Sequence, residues 1–365
     1  MMAGVFPLVP MNLAELERSE IEAALERIGV PRFHGRQIFR WIYRRGVARF
    51  EDMTDLPRTL RDTLSGAATI ETPATSAQQL SSDGTLKLNL RLADDRHIES
   101  VFIPDTPAQT FCVSTQVGCA MACGFCLTGT MGLTRHLTAG EIAGQVRVLA
   151  HTTKLAGEAF NIVLMGMGEP LHNYDATMKA LRILADPEGL ALPPKRVTLS
   201  TVGLLPALER LAEEPLMPNL AISLHATTDE ARSRLVPINK RYPIADLMEA
   251  LRRFPLAKRR RITFEYVLLS GVNDTPEDAR RLVRLLNGLR AKVNLLPLNE
   301  AAGIPFTRPS DDRVNAFARI LADKDVRVSV RKSRGRDIRA ACGQLVVEGQ
   351  KPSAGRRLAA RLTET

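Results

Sequence analysis

The chain has 365 residues, 45% of them hydrophobic and 25% charged, with five cysteines and a formal net charge of +10. That length accommodates one large domain and a small one, with a core big enough to need neither disulfides nor metal to hold it together. No apolar run approaches the ~20 residues of a membrane span, no basic segment precedes an apolar stretch at the start, and the cysteines form no even framework. The sequence therefore reads as a cytoplasmic protein of a reducing compartment.

In chain order, residues 12–29 carry Leu13, Leu16, Ile21, Leu25 and Ile28 at helical spacing, with Asn12 or Ser19 as cap. A second helical stretch covers 37–43 and ends by Gly46; its aromatic residues are expected to pack in a small core. A third covers 50–64, with Pro57 at a turn or first-turn position. Residues 1–72 thus read as a helical accessory domain for RNA binding, and Arg32 to Arg49 contributes six arginines and no acid. Residues 73–104 change period. Leu86, Leu88, Leu90 and Leu92 alternate with polar residues, 93–96 is a turn and 97–103 returns, which predicts a bridging β-hairpin. Glu99 on the return strand reads as an ordinary exposed carboxylate.

From 105 to 345, β-rich runs at 111–116, 161–165, 196–201, 219–224, 261–268, 291–296 and 326–330 alternate with helical patterns such as 139–151 and 175–185. Such alternation predicts a parallel sheet. Six or so units are too few for an eight-fold barrel, so the expected fold class is α/β, a partial (β/α)6 barrel. Residues 346–365 form a basic tail. Lys258 to Arg261 is a second basic cluster, and Arg327 to Arg361 holds ten Lys/Arg against Asp337 and Glu348. Three such clusters suit a polyanion; a solvated basic surface is the plainer alternative for any one of them.

Three cysteines, Cys119, Cys123 and Cys126, fall within eight positions as C-x3-C-x2-C, with Phe125 before the last. A closed zinc site wants four protein ligands, and an iron–sulfur cube has four corners normally filled by four cysteines. Three leave one iron open to a substrate or cofactor. A zinc knuckle or three buried thiols are the competing readings. Strand ends supply further candidates: Gly168 and Glu169 in G-M-G-E-P, Ser200, then Ser223, Leu224 and His225, then Asn299. The glycines would let backbone approach a ligand, and a tight turn explains them equally well; the ring as a whole suits a ligand with ribose, amino and carboxylate groups. Cys112 and Cys342 lie outside the cluster. Both read as buried structural thiols, or, for Cys342 beside a run of arginines, as a thiolate of lowered pKa able to act as nucleophile.

These pieces together resemble the RlmN/Cfr adenosine methyltransferases of the radical S-adenosylmethionine (SAM) superfamily. The resemblance runs from about residue 28 to 345. It rests on G-R-Q-I-F-R-W-I-Y at 35–43, E-S-V-F-I-P at 99–104, C-V-S-T-Q-V-G-C at 112–119, G-M-G-E-P at 166–170, A-I-S-L-H-A at 221–226 and R-G-R-D-I-R-A-A-C-G-Q-L at 334–345. It implies that Cys119, Cys123 and Cys126 hold a [4Fe-4S] cluster. Gly168, Glu169, Ser200, Ser223, Leu224, His225 and Asn299 would line the SAM site. Cys342 would take a methyl group from one SAM, and a second SAM would be cleaved to a 5′-deoxyadenosyl radical that activates that methyl for addition to adenine. Cys112 would release the covalent protein–RNA adduct through a disulfide with Cys342, and Glu99 would be the proton acceptor. The implied product is adenosine methylated at C2 in 23S rRNA and in tRNA, 3′ of the anticodon. A Cfr-type enzyme methylating C8 is the alternative within the family, and a non-enzymatic zinc-binding RNA-binding protein the alternative outside it. A flavodoxin-like electron donor and a monomeric state are also expected.

Overall fold

The computed structural model describes residues 10–104 and 108–347; the beginning of the chain and most of the expected basic tail lie outside these. The N-terminal module contains β1 (Met11–Asn12), α1 (Arg18–Arg27), α2 (Phe33–Tyr43), α3 (Arg58–Ala67) and β2 (Ala68–Thr69), with β1 and β2 paired in parallel. Asn12 caps a short 3-10 turn at 13–15, whereas α1 begins with a reciprocal Glu17–Glu20 capping box. Ile38, Phe39, Trp41, Ile42 and Tyr43 of α2 are buried, so its aromatic residues pack inward as expected.

The predicted hairpin is part of a larger object. β3 (Ala74–Leu80), β4 (Leu86–Arg91) and β5 (His97–Ile103) form an antiparallel meander that continues into β6 (Thr110–Cys112). β3 is exposed along its whole length and ends the sheet. β5 is covered on both faces: Ser100 bonds to Gln145 on one side, and Glu99 meets Lys87 and the Val346 amide on the other. Glu99 is accordingly 4% exposed, against the expected exposed strand carboxylate.

The barrel follows with β7 (Gln116–Gly118), α4 (Leu127–Met131), β8 (Leu133–His136), α5 (Ala139–Thr152), β9 (Asn161–Leu164), α6 (Tyr174–Ala185), β10 (Val197–Thr201), α7 (Leu205–Ala212) and β11 (Asn219–Ser223). It is completed by α8 (Asp229–Leu235), α9 (Ile244–Arg253), β12 (Ile262–Leu268), α10 (Pro276–Leu286), β13 (Ala291–Pro297), α11 (Asp311–Ala322) and β14 (Val328–Val330). β6 and β9 to β14 are parallel and pair in chain order. The ten-stranded sheet ends at β14 and β3, so hydrogen bonding leaves the barrel open, as the partial-barrel reading requires. β12 is buried at all seven positions, the pattern of a central parallel strand. The run expected as one strand at 111–116 divides: β6 stops at Cys112, and Gln116–Gly118 pairs with β8 instead.

The module is fastened to the barrel by polar groups. Glu15 accepts from the Gly140 amide at 2.8 Å and from the Thr138 hydroxyl, at the N-terminus of α5. Thr138 and Glu141 form that helix's own capping box. A Cβ at Gly140 would stand 2.6 Å from the Glu15 carboxylate and 2.7 Å from the Ala14 carbonyl. Ion pairs Arg18–Asp186, Lys179–Glu20 and Arg182–Glu17 tie α1 to α6 and the loop after it.

Candidate active site

Two cavities occupy opposite ends of the barrel and share Cys342. The first opens among the carboxyl ends of the strands. Its walls include Cys119, Cys123 and Cys126, then Gly168 and Glu169 after β9, Ser200 in β10, Ser223 and His225 at β11, and Asn299 after β13. The second lies toward the amino ends of the strands. Lys195, Arg196, Lys292, Arg331, Lys332 and Arg334 line it, together with Cys112 and Cys342.

The three clustered thiols share one wall of the first cavity. Burial raises the pKa of all three, to about 12 for Cys119; at Cys126 the amides of Gly129 and Thr128 and the Thr128 hydroxyl partly offset it. The loop is held from outside by Gly124 N–H donating to Leu235 O at 3.0 Å and Cys119 N–H to Gly132 O at 2.9 Å. Among the described residues no three His, Cys, Asp or Glu side chains converge tightly enough for a single ion. Each thiolate of an iron–sulfur cube binds a different iron, so a cube asks for a wider spread than zinc does.

Gly166 and Gly168 follow the tight-turn reading of the two glycines. A Cβ on Gly166 would meet Ser114 Oγ and Val113 O at 2.7 Å, and one on Gly168, at φ +106°, would meet Gln116 Cβ at 2.7 Å. The turn is pressed against residues 113–116, and that packing aims Glu169 into the cavity. Glu169 is buried; its carboxylate accepts from Val202 N–H at 2.9 Å and Leu171 N–H at 3.0 Å. Burial outweighs these donors and raises its pKa to about 7, so an ammonium placed beside it would favour the ionised form.

His225 sits at φ +60°, a strained conformation held by Asn273 Nδ2 donating to its carbonyl at 2.7 Å. Its Nδ1 accepts from Val267 N–H at 3.0 Å, which fixes the proton on Nε2. Burial, with Arg232 adding, lowers its pKa to about 3, so the ring is a neutral donor. Ser200 and Ser223 hydroxyls lie 3.4 Å apart. Asn299 donates to Cys342 O at 3.4 Å, and its Oδ1 is buried with no partner. An orphaned buried acceptor beside paired hydroxyls, a neutral imidazole donor and a buried carboxylate fits a polar ligand with amino, carboxylate and ribose groups. Leu224 is the exception among the expected residues: its side chain is fully buried in the core and does not line the cavity.

Cys342 is exposed, yet the space it faces is that of the two cavities. Its pKa is pushed up to about 11 by burial and Glu265, and Arg331 only partly counters this. The lowered pKa expected from the neighbouring arginines is therefore absent: enclosure outweighs charge. Cys112 is buried and its thiol is raised by burial and by Cys342. Glu99 stands apart from both cavities. It pairs with Lys87 at 2.9 Å and accepts from Val346 N–H at 2.9 Å.

Two residues of this region carry no motif. Arg232 is fully buried in α8 and donates to Leu224 O at 3.1 Å, Val202 O at 2.7 Å and Asn239 Oδ1 at 2.9 Å, joining the ends of β10 and β11. Nothing in the sequence sets it apart from other arginines. Glu265 lines both cavities and is raised by burial; a carboxylate inside the apolar run 262–268 was the available signal.

Residues 113–286 match the Radical SAM superfamily, and residues 11–70 match the Ribosomal RNA large subunit methyltransferase N-terminal domain. The chain is 49% identical over 351 residues to the dual-specificity RNA methyltransferase RlmN of Geobacter sulfurreducens, covering 95% of this chain and 96% of that one. It is 47% identical over 360 residues to the protein of the same name from Anaeromyxobacter dehalogenans, covering 97% and 96%. The crystal structure of a radical SAM methyltransferase from Sphaerobacter thermophilus is similar with a TM-score of 0.88 at 49% identity, over 92% of this chain and 99% of that one.

Proposed function

This chain belongs to the RlmN family of radical SAM methyltransferases, and from that premise we propose that it methylates C2 of an adenosine in 23S rRNA and in tRNA through a methyl group carried on Cys342. The observation that supports this most directly is the place of Cys342, between a cavity walled by three cysteines and one walled by lysines and arginines. A methyl carrier has to face the source of the methyl and its destination, and this thiol faces both.

The [4Fe-4S] cluster and SAM, once bound, supply a hydrogen-abstracting radical, which an unactivated adenine carbon requires because it is neither nucleophilic nor acidic. The chain's own residues position and protect. Cys119, Cys123 and Cys126 would hold three irons of the cluster. Glu169 would accept from the SAM ammonium, the Asn299 amide would meet its carboxylate or hydroxyls, and the Ser200 and Ser223 hydroxyls and the His225 Nε2–H would complete its hydrogen bonds. Cys342 would give up its thiol proton and bond the methyl carbon of a first SAM, with S-adenosylhomocysteine as the leaving group, which would make two SAM per methylation. Its raised pKa keeps the thiol protonated until it gives up its proton to a base, and Glu265 shares both cavities with it. Cys112, lining the second cavity, is placed to free the product by forming a disulfide with Cys342. Glu99 is the proton acceptor in this reading. Its partners Lys87 and Val346 N–H set it four residues beyond Cys342. The basic cavity would hold the RNA backbone around the inserted adenosine. A flavodoxin-like protein would supply electrons.

The test is peptide mass spectrometry after incubating the reconstituted enzyme with methyl-labelled SAM. Label on the Cys342 peptide is expected; its absence refutes the carrier role. Cys112→Ala should accept the methyl and then accumulate a protein–RNA adduct, and normal turnover in that variant would remove Cys112 from the pathway. Nucleoside digestion of the product RNA reads C2 against C8.

A further inference from the structure

The turn joining β3 and β4 takes no part in the chemistry above, yet its polar groups are directed at the segment that bears Cys342. Asp83 uses one carboxylate oxygen within the turn, accepting from Thr85 N–H at 3.0 Å, and the other across the molecule, accepting from Gly335 N–H at 3.0 Å. Asp337 accepts from the Ser81 hydroxyl at 2.6 Å and from Ser82 N–H at 3.1 Å. Asp337 sits among Arg334, Arg336 and Arg339 in sequence, yet both of its carboxylate oxygens are engaged by the turn. Gly335, at φ +61°, lies so close that a Cβ would meet Thr85 Cγ2 at 2.9 Å. Beyond Cys342 the segment is tied at its other end: Leu127 N–H donates to Gly343 O at 2.8 Å and Thr128 Oγ1 to Leu345 O at 2.6 Å, directly after the cluster loop.

We propose that Asp83 and Asp337 are positioning residues, and that the 81–85 turn is a clasp setting where the Cys342 thiol stands between the two cavities. The inference rests on the methyl-carrier reading for its purpose, but its geometry does not. Cys342 needs a defined place, because a displacement of about 1 Å at a reacting group costs up to about a hundredfold in rate. One end of its segment is anchored beside the cluster. The other depends on its own Asp337 and on Asp83 and Ser81 of a turn more than 250 residues away in sequence. Hydrogen bonds to charged acceptors are strong enough to hold such a strap and few enough to be removed one at a time. Donors from Thr85, Gly335 and Ser81 outweigh the burial of Asp83 and hold its pKa at about 2, so the clasp stays closed across the neutral range.

The experiment uses the full-length, cluster-reconstituted protein as wild type, Asp83→Ala, Asp337→Ala, Asp83→Asn and Asp337→Asn. Two rates are read. One is methylation of Cys342 from SAM without RNA, by peptide mass. The other is diamide-driven closure of a Cys112–Cys342 disulfide, which needs neither SAM nor RNA. The alanine variants are expected to lose about tenfold in kcat for methylation, with the KM for SAM held within about twofold, and to close the disulfide more slowly by a similar factor. Asp337→Asn, whose amide oxygen can accept from Ser82 N–H while its amide nitrogen donates to Ser81 Oγ, should recover most of both rates, and Asp83→Asn, with one acceptor oxygen for two N–H donors, should recover part of them, with thermal midpoint and iron content as in wild type. Unchanged rates in the alanine variants overturn the clasp, as do losses that follow thermal midpoint or iron content in alanine and asparagine variants alike. If wild-type Cys342 takes no methyl, the functional reading fails, while the disulfide rate still decides the clasp.

Discussion

Two arginine-rich stretches look alike in the sequence and behave oppositely in the fold. In 32–49 every arginine is engaged. Arg32 pairs with Glu22 and Glu26, Arg36 and Arg40 share Glu188, Arg49 pairs with Asp52, Arg44 donates to Pro187 O, and Arg45 lies 3.9 Å over the Trp41 ring. In 331–334, Arg331, Lys332 and Arg334 line a cavity and, among the described residues, make no salt bridge. The first stretch is taken up within the module, by Arg32, Arg45 and Arg49, and between module and barrel, by Arg36, Arg40 and Arg44, whereas the second is positive charge without a salt-bridge partner among the described residues beside Cys342. A cation already paired with a carboxylate releases little when it meets a phosphate, so local charge count alone overstates the RNA-binding role of the first stretch.

The contrast is broken most forcefully by removing the free charges. Arg331→Ala with Arg334→Ala should weaken RNA binding about tenfold or more at physiological salt and flatten the slope of log affinity against log salt by about 1 to 2. Arg36→Ala with Arg40→Ala should leave that slope as it is. Equal slopes for the two double variants, in binding titrations at several salt concentrations, would erase the distinction. Next in size is Gly140→Ala, which pushes a methyl into Glu15 and the Ala14 carbonyl at the module boundary. About 1–3 kcal/mol of stability should be lost, read as a lowered thermal midpoint; an unmoved midpoint would mean that the boundary yields freely.

What the sequence disclosed follows the same line between local and distant effects. The cysteine triad, the strand–helix alternation and most of the polar strand ends were legible because each is a short pattern tied to a local geometry. Glu99 was misread because a period-two strand looks half exposed, and its burial depends on Lys87 and the sequence-distant segment at Val346 covering that face of β5. The pKa of Cys342 was misread because the arginines beside it are visible in sequence whereas the enclosing cavity walls are not. Arg232 and Asp83 act on partners brought near only by the fold, and no spacing rule reports them. For Gly166 and Gly168 the sequence left two readings open, since a tight turn against the chain's own backbone and a close approach to a ligand ask for the same residue, and the fold shows the turn.

A smaller effect separates the two arginine stretches by stability alone. Glu188 serves Arg36 and Arg40 together, with 20% of its own side chain exposed. Glu188→Ala should cost at most about 1 kcal/mol, the range of partly exposed pairs, with the salt slope of RNA binding unchanged. Denaturant titration of the variant checks the first and binding titration the second. A stability loss well above that range would mean the module depends on this carboxylate more than surface pairs allow.

The smallest expected effect is that pair's response to acid, and its sign is fixed. The hydrogen bond from Arg40, with Arg36 and Arg18 adding, holds the Glu188 carboxyl below its ordinary value of 4.5. The unfolded chain then binds this proton more readily than the folded one, so stability falls as pH falls. The contribution is fully present above about 4.5 and is lost as pH drops through the lower folded value. Wild type should therefore lose part of its margin over Glu188→Ala between pH 6 and pH 3, measured as the difference in their thermal midpoints. Among the described residues no salt bridge of this kind holds Arg334, so Arg334→Ala should keep a constant offset from wild type over the same interval. A margin that widens on acidification would show that Arg36 and Arg40 are not held by Glu188, and would return the first stretch to the pool of charge free for RNA.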